Sequence, residues 1–157
     1  MMKTEEYRGY FNMMYNSYSP SDTEKIAADF ARTLKPSDVI CLRGDLGAGK
    51  TAFVQGLVKG LGVTEPISSP TFTIVNCYTG GIMPIYHFDV YRIEDSDEMY
   101  EIGFEEYLDG GGVTIIEWPD NIADILPDNV YNITVSKDYD KDESFRYIEI
   151  DTVCRDD

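Results

Sequence analysis

The stretch that decides the fold is Val39-Ile40-Cys41-Leu42-Arg43-Gly44-Asp45-Leu46-Gly47-Ala48-Gly49-Lys50-Thr51-Ala52-Phe53-Val54. It reads as a buried strand, a glycine-rich loop and the start of a helix, and the loop fits the pattern G-x-x-x-x-G-K-[ST]. In that pattern the glycines allow close backbone approach, and the amides face an anion at the helix N-terminus. Lys50 would reach the β- and γ-phosphates, and the Thr51 hydroxyl would bind Mg²⁺. The stretch predicts a nucleotide-phosphate site; a glycine-rich turn without a ligand is the alternative.

Composition restricts the class of protein further. The chain has 157 residues, 43% of them hydrophobic, which is typical of one folded domain with a substantial core. Its net charge of −16 argues against tight direct binding of RNA or DNA, because phosphate contacts need Lys and Arg. The three cysteines form no C-x-x-C pair, and no apolar run approaches the length of a membrane span. We therefore expect a cytoplasmic protein without a membrane segment.

The regions before the glycine-rich loop are predicted to be an extension and a helix. Met1 to Tyr18 has no clear period and reads as an N-terminal extension, followed by a single domain over residues 19–157. Ser21-Asp22-Thr23-Glu24 has the pattern of a capping box. The apolar face of the helix that it would open consists of Ile26, Ala27, Phe30, Ala31 and Leu34.

The regions after the loop are predicted to be mostly strands. Strand formers occur at 72–78 and 82–90 as a hairpin, at 113–116, and at 131–135 and 145–150 as a second hairpin. Ser96 would cap a short acidic helix ending at Glu101. The resulting prediction is an α/β, P-loop NTPase-like three-layer fold with a mixed, parallel plus antiparallel, central sheet.

Two acidic residues are candidates for the phosphate site. Glu117 ends a predicted strand, where its carboxylate would point into the ligand crevice and complete a Mg²⁺ site; an ordinary glutamate at a loop start is the alternative. Asp89 lies in an apolar-aromatic strand, where an unpaired carboxylate would be costly to bury, so two roles are open: catalysis, or a structural role through a salt bridge to Arg92 or a hydrogen bond. His87, the only histidine, is interpreted as a packed, hydrogen-bonded imidazole.

Two further positions are weaker candidates. Ser69-Pro70-Thr71 follows the loop helix, where many nucleotide hydrolases place a segment that senses the γ-phosphate, although a tripeptide alone proves little. Trp118, the single tryptophan, is a core or lip residue or a ring beside the nucleotide.

Four motifs together resemble the TsaE family, formerly called YjeE. They are Gly44 to Thr51, Ser69-Pro70-Thr71-Phe72, His87-Phe88-Asp89-Val90-Tyr91-Arg92 and Glu117-Trp118-Pro119, in the family's order and spacing. The resemblance covers roughly Ser19 to Ile150, and four motifs together are far more specific than one. Two departures are Cys77, where many relatives carry a polar or acidic residue, and the long segment before Ser19.

The resemblance implies a weak Mg²⁺-dependent ATPase needed to make N6-threonylcarbamoyladenosine at position 37 of tRNA. It implies work with TsaD and TsaB, whose complex it resets without transferring the threonylcarbamoyl group, and contact with tRNA only through these partners. By motif, Lys50 resembles the phosphate ligand, Asp89 the residue nearest to hydrolysis, and Thr71 the sensing residue. Thr51 and Glu117 resemble the Mg²⁺ ligands. The residues expected to contact ATP or ADP are Asp45, Leu46, Gly47, Ala48, Gly49, Lys50, Thr51, Ala52 and Trp118.

Two other functions remain open on the sequence. A P-loop kinase of a small molecule is disfavoured, because such kinases close an Arg-bearing lid and there is no Lys or Arg from Ile93 through Ser136. Only Arg43, Arg92 and Arg146 remain as nearby cations. A nucleotide-dependent binding module with negligible hydrolysis is the other alternative.

Overall fold

The computed structural model describes residues 11–153, in which seven strands form one sheet. The strands are β1 (Phe11–Ser17), β2 (Val39–Arg43), β3 (Val75–Tyr78), β4 (Ile85–Asp89), β5 (Val113–Glu117), β6 (Val130–Lys137) and β7 (Arg146–Val153). The helices are α1 (Pro20–Ala31), α2 (Lys50–Gly60), α3 (Asp97–Glu101) and α4 (Phe104–Leu108), with a 3-10 segment at Pro119–Ile125.

The sheet is mixed, as predicted. Its strand order is β1-β7-β6-β2-β5-β4-β3. Parallel pairing joins β4 to β5, β5 to β2 and β2 to β6, whereas β3, β7 and β1 are antiparallel to their neighbours. Because the carboxyl ends of the parallel strands meet at one edge, Glu117 pairs in register with both Leu42 and Asp89 beside the start of the glycine-rich loop.

Helical segments cover both faces of the sheet, which confirms the predicted P-loop NTPase-like three-layer α/β fold. Alternation along the central strands divides their side chains between two cores. On β5, Ile115 joins the core under α1 and α2, and Ile116 joins the core under α3, α4 and the 3-10 segment. The predicted apolar face of α1 packs in the first core, with Ala27, Phe30, Ala31 and Leu34 buried and Ile26 partly buried. Among residues 11–153, no helix has the length and apolarity to cross a membrane.

Helices α1 and α2 approach so closely that glycine is required at their contact. A Cβ on Gly56 would lie 2.2 Å from the carbonyl oxygen of Glu24 and 2.7 Å from the Cβ of Ala27. Such distances are shorter than any van der Waals contact, so a larger residue would force the helices apart. This contact fixes the direction of α2 and therefore the position of the loop at its N-terminus.

The predicted cap of α1 was wrong, and the predicted cap of α3 was correct in position only. The cap of α1 is Ser19, two residues before Ser21: its hydroxyl accepts a hydrogen bond from the amide of Asp22 at 3.0 Å, and Pro20 occupies the first turn. Pro at this position removes no intrahelical hydrogen bond, which favours the earlier start over Ser21. Ser96 precedes α3, which ends at Glu101 as predicted, but its hydroxyl donates to Asp124 and makes no capping bond to the helix.

Predicted strand ends also needed correction. Strand β3 begins at Val75 and not at Phe72, because Pro70–Thr73 forms a turn and Ile74 has a φ of 69°. Strand β4 begins at Ile85, since the amide of Ile82 bonds to the carbonyl of Leu61 and not to a neighbouring strand. Within the segment interpreted as an extension, Phe11–Ser17 forms β1, an edge strand that the sequence did not predict. Residues 1–10 of that extension and Cys154 lie outside the described residues.

Candidate nucleotide-binding site

The glycine-rich loop joins β2 to α2 in a conformation that exposes backbone amides. Gly47 and Gly49 have φ values of 78° and 103°, in the left-handed region that favours glycine. The first intrahelical hydrogen bond of α2 runs from the amide of Phe53 to the carbonyl of Gly49 at 3.3 Å. The amides of Lys50, Thr51 and Ala52 therefore precede the helical ladder, and a helix N-terminus of this kind can bind an anion.

Lys50 is buried at the start of α2, only 7% exposed, with its ammonium 3.8 Å from the centroid of the Trp118 ring. Burial lowers the pKa of Lys50, and the negative charges of Glu117, Asp89 and Asp45 oppose that shift. The predicted phosphate ligand thus lies close to both predicted acidic residues and to the predicted aromatic ring. A buried ammonium beside carboxylates and a π face fits an incoming polyphosphate.

Asp89 is held by two hydrogen bonds at the carboxyl end of β4. The hydroxyl of Thr71 donates to Oδ2 at 3.1 Å, and the amide of Tyr91 donates to Oδ1 at 3.0 Å. Among residues 11–153, no salt bridge joins Asp89 to Arg92, whose guanidinium lies over the ring of Phe72 at 4.6 Å. The expected salt bridge to Arg92 is therefore wrong, whereas the other structural alternative, a hydrogen-bonded carboxylate, is confirmed by the bonds from Thr71 and the Tyr91 amide. The bond from Thr71 connects Asp89 to the Ser69-Pro70-Thr71 segment.

Glu117 is the last residue of β5 and is 8% exposed. Its Oε2 lies 2.7 Å from Nε2 of His87 on the neighbouring strand β4. The interpretation of His87 as a packed, hydrogen-bonded imidazole is confirmed, since it is 3% exposed. The next residue, Trp118, has a φ of 63°, so the chain turns sharply here and brings the indole ring under Lys50.

The three arginines that the sequence left as free cations all have local partners. Arg43 donates to both oxygens of Asp120, at 3.2 and 3.0 Å, and to Asn132 at 2.6 Å. The hydrogen bonds from Arg43 lower the pKa of Asp120. Arg146 donates from Nε to the carbonyl of Ala48 at 2.6 Å, so it supports the glycine-rich loop from β7.

A cleft of about 330 Å³ opens beside the loop, large enough for a nucleoside. The residues that line it are Arg43, Gly44, Asp45, Leu46, Ala48, Trp118, Pro119, Asp120, Thr134, Val135, Ser136, Lys137 and Tyr139. At its floor, a Cβ on Gly44 would lie 2.6 Å from the carbonyl oxygen of Val135, so only glycine fits where the loop crosses β6. The cleft joins the phosphate loop to the turn that carries Trp118.

The structure brings most of the predicted site residues together but adds others. Glu117 and Asp89 lie close enough to Lys50 to act on its pKa, the Trp118 ring lies beside the Lys50 ammonium, and Thr71 is bonded to Asp89. Thr51 is exposed on the first turn of α2. Residues 11–153 contain no group of three or more His, Cys, Asp or Glu side chains that could hold a metal ion by itself. The sequence missed Lys137 and Tyr139 in the cleft, which follow directly after the Lys- and Arg-free stretch. No short motif marks them.

The sequence matches a known family and its members. The model of the family described as "Threonylcarbamoyl adenosine biosynthesis protein TsaE" matches residues 17–146. The tRNA threonylcarbamoyladenosine biosynthesis protein TsaE of Bacillus subtilis is 40% identical over 138 residues, which are 88% of this chain and 86% of that protein. The protein of the same name from Treponema pallidum is 42% identical over 76% of this chain and 87% of its own length.

A solved structure agrees with these matches. The crystal structure of YdiB from Bacillus subtilis superposes with a TM-score of 0.78 at 35% sequence identity, covering 92% of this chain and 87% of YdiB. Fold, motif order and overall sequence therefore agree, and the chain belongs to the TsaE family of threonylcarbamoyl adenosine biosynthesis proteins.

Proposed function

We propose that this chain is a weak Mg²⁺-dependent ATPase that acts in the cytoplasm in the biosynthesis of N6-threonylcarbamoyladenosine in tRNA. It works with homologues of TsaD and TsaB and resets their complex between turnovers, and it does not itself transfer the threonylcarbamoyl group. The Thr71–Asp89 hydrogen bond, beside the buried ammonium of Lys50, carries the ATPase part of the proposal. It joins a carboxylate at the phosphate site to a segment that can report the state of the nucleotide.

The residues present fit ATP or ADP. The amides at the start of α2 and the Lys50 ammonium bind the phosphates, and the residues around them are the predicted set Asp45 to Ala52. The cleft beside the loop accepts the nucleoside, with Trp118 between the two parts. Asp120 and Asn132 are held by Arg43 near the same cleft. We infer that the base contacts this side of the loop.

The donor set also fits Mg²⁺. Magnesium prefers oxygen ligands and is bound through one or two protein groups together with phosphates. Thr51 offers a hydroxyl on the exposed side of α2, and Glu117 offers a carboxylate at the end of β5. When bound, the ion would neutralise charge that develops on the phosphates.

The role of Asp89 follows from its fixed orientation. Both of its oxygens accept a hydrogen bond, one from Thr71 and one from the Tyr91 amide, so the carboxylate cannot turn freely. A carboxylate fixed beside a phosphate site can orient a water molecule by accepting its proton. Movement of Thr71 on loss of the γ-phosphate would release Asp89 and thereby couple hydrolysis to the segment around Phe72, which is 82% exposed.

Contact with tRNA is assigned to the partners because of charge. The net charge of −16 opposes direct binding of nucleic acid by the chain as a whole. An ATPase that acts on a protein complex, and not on the RNA, needs no basic surface of its own.

Phosphate release, measured with and without TsaD and TsaB homologues, tests the proposal. We expect slow release by the chain alone and faster release with both partners. Absence of release under either condition would leave a nucleotide-binding module. Transfer of the γ-phosphoryl group to a small molecule, detected with labelled ATP, would instead indicate a kinase.

Copurification in ATP, followed by an assay of tRNA modification, tests the place of the chain in the pathway. We expect the partners to copurify with the chain and the modification to require it over many turnovers. Unchanged modification in its absence would contradict the proposed resetting role.

A further inference from the structure

The strongest unexplained feature of the site is the buried imidazole behind Glu117. His87 lies on β4, two positions before Asp89: in the register, His87 faces Ile115 and Asp89 faces Glu117. Residues two apart on a strand share a face of the sheet, so His87, Asp89 and Glu117 lie on the same face. The Nε2–Oε2 distance of 2.7 Å is that of a strong hydrogen bond.

The other ring nitrogen identifies the donor. Among residues 11–153, Nδ1 of His87 is buried and has no hydrogen-bond partner. A proton on Nδ1 would place an unsatisfied donor in the core. The lone pair of the unprotonated Nε2 would then face the lone pairs of the Glu117 carboxylate, and neither atom could donate. A proton on Nε2 satisfies the contact with Glu117 and leaves only an unpaired acceptor. The geometry therefore selects the Nε2–H tautomer.

This hydrogen bond distinguishes the two oxygens of Glu117. Oε2 is occupied by His87, whereas the hydrogen bonds of residues 11–153 include none to Oε1. Asp89 differs, since each of its oxygens already accepts one hydrogen bond and keeps a single lone pair for a water molecule. Glu117 is thus the carboxylate that keeps one oxygen available toward Lys50 and the start of α2, with its rotation restricted by the imidazole.

We propose that His87 is a positioning residue for the metal site: it donates Nε2–H to Glu117 Oε2 and so orients Oε1 toward a divalent cation bound with the nucleotide. The inference rests on the proposed role of Glu117 as a metal ligand. Outer hydrogen bonds of this kind typically change metal affinity by 10- to 100-fold when they are removed.

The test uses Mn²⁺ in place of Mg²⁺, with binding to the protein–ADP complex followed by the loss of the free-ion EPR signal. His87→Leu removes the donor, whereas the side-chain amide of His87→Gln can still donate to Glu117. We expect His87→Leu to weaken Mn²⁺ binding by about 10-fold, and His87→Gln to stay within about 3-fold of the wild type. Tyr86→Phe is the matched control, because Tyr86 is the neighbouring residue on β4 and its hydroxyl bonds to Gly110 at 3.2 Å.

The outcomes separate this inference from the proposed function. Loss of Mn²⁺ binding in Glu117→Ala but not in His87→Leu would overturn the positioning role alone. Unchanged binding in Glu117→Ala would overturn the role of Glu117 as well. Equal loss in His87→Leu and His87→Gln would mean that the imidazole only fills space, which also contradicts the proposal.

A second measurement uses only the wild-type protein, so it does not depend on whether a variant folds. His87 is the only histidine of the chain, so protein prepared without a histidine tag has a single imidazole and its ¹⁵N NMR signals need no assignment. We expect the pattern of the Nε2–H tautomer in the wild-type protein. The Nδ1–H pattern would overturn the proposal, because Nε2 could then not donate to Glu117.

Discussion

The ammonium of Lys50 lies 3.8 Å from the centroid of the Trp118 ring, and this contact joins the glycine-rich loop to the turn after β5. Lys50 and Trp118 are far apart in the sequence, with strands β3, β4 and β5 between them. They meet because β2 and β5 are adjacent and parallel, so the carboxyl ends of these two strands lie side by side. The pair gives the site a built-in optical reporter, because Trp118 is the only tryptophan of the chain.

The first prediction uses this reporter. ATP should draw the Lys50 ammonium toward its phosphates and change the fluorescence of Trp118, and Lys50→Ala should abolish nucleotide binding. Lys59→Ala is the control, since Lys59 lies at the other end of the same helix and pairs with Glu24 on the surface at 3.1 Å. ATP binding by Lys50→Ala with wild-type affinity, measured by calorimetry, would contradict the assigned role.

The second prediction separates binding from hydrolysis at Asp89. Asp89→Ala should bind ATP normally and lose phosphate release by at least about 100-fold, because the fixed acceptor for the water proton is gone. Thr71→Val removes only the hydroxyl that bonds to Asp89 and should reduce release less strongly. Normal hydrolysis by Asp89→Ala would show that the catalytic assignment is wrong.

The third prediction concerns support of the loop by Arg146. Its guanidinium donates to the carbonyl of Ala48 at 2.6 Å, so Arg146→Ala should loosen the loop and weaken ATP binding by about 10-fold, the equivalent of about 1.4 kcal/mol. Arg32→Ala serves as the control, because Arg32 is exposed and forms an ion pair with Asp29, three positions earlier in the chain. Similar ATP affinities of the two variants would exclude a specific role for Arg146.

The fourth prediction concerns Cys41 in the central strand β2. Burial raises the pKa of its thiol from 9.0 to about 11. The folded protein holds this proton more tightly than the unfolded chain, so the contribution to stability is complete below the unfolded pKa and is lost as pH rises toward 11. Between about pH 8 and about pH 11, the free energy of unfolding should fall by about 2 kcal/mol more in the wild type than in Cys41→Val.

Urea unfolding at several pH values measures this difference. Native-state labelling of thiols is an independent check: Cys77 is exposed and should react, whereas buried Cys41 should react only after unfolding. Equal alkaline losses of stability in the two proteins would mean that Cys41 ionises in the folded state as easily as in the unfolded chain.

The fifth prediction tests the contact between α1 and α2. A methyl group on Gly56 would lie 2.2 Å from the Glu24 carbonyl oxygen, so Gly56→Ala should destabilise the protein by about 1–3 kcal/mol. Gly80→Ala should change stability little, because the nearest atom to its Cβ would be a Glu65 carboxylate oxygen at 3.8 Å. Thermal unfolding compares the stabilities of the two variants. Equal stabilities of Gly56→Ala and Gly80→Ala would show that α1 and α2 can move apart without cost.

The sequence by itself determined the parts of this protein that depend on neighbouring residues. The order strand, loop, helix from Val39 to Gly60 follows from a local pattern of apolar residues and glycines. The same holds for the apolar face of α1 and for the two predicted hairpins, because side-chain period and turn chemistry act over a few residues. Family membership was also predictable, since four short motifs occur in a fixed order.

Local pattern failed mainly where a distant contact decided the geometry. Strand β3 starts late because Thr71 turns toward Asp89, 18 positions away. The cap of α1 was misplaced for a local reason, since Ser19 caps the helix and Pro20 fits its first turn. The edge strand β1 was missed because its pairing partner, β7, lies at the opposite end of the chain.

Only the tertiary structure decided which partners the site residues have. His87 meets Glu117 at a separation of 30 positions, and Arg146 meets Ala48 at a separation of 98. These contacts exist because parallel pairing brings the ends of β2, β4 and β5 to one edge and β7 returns beside β6. The physical reason is that sheet register, and not sequence distance, sets which side chains are close enough to share a proton or a charge.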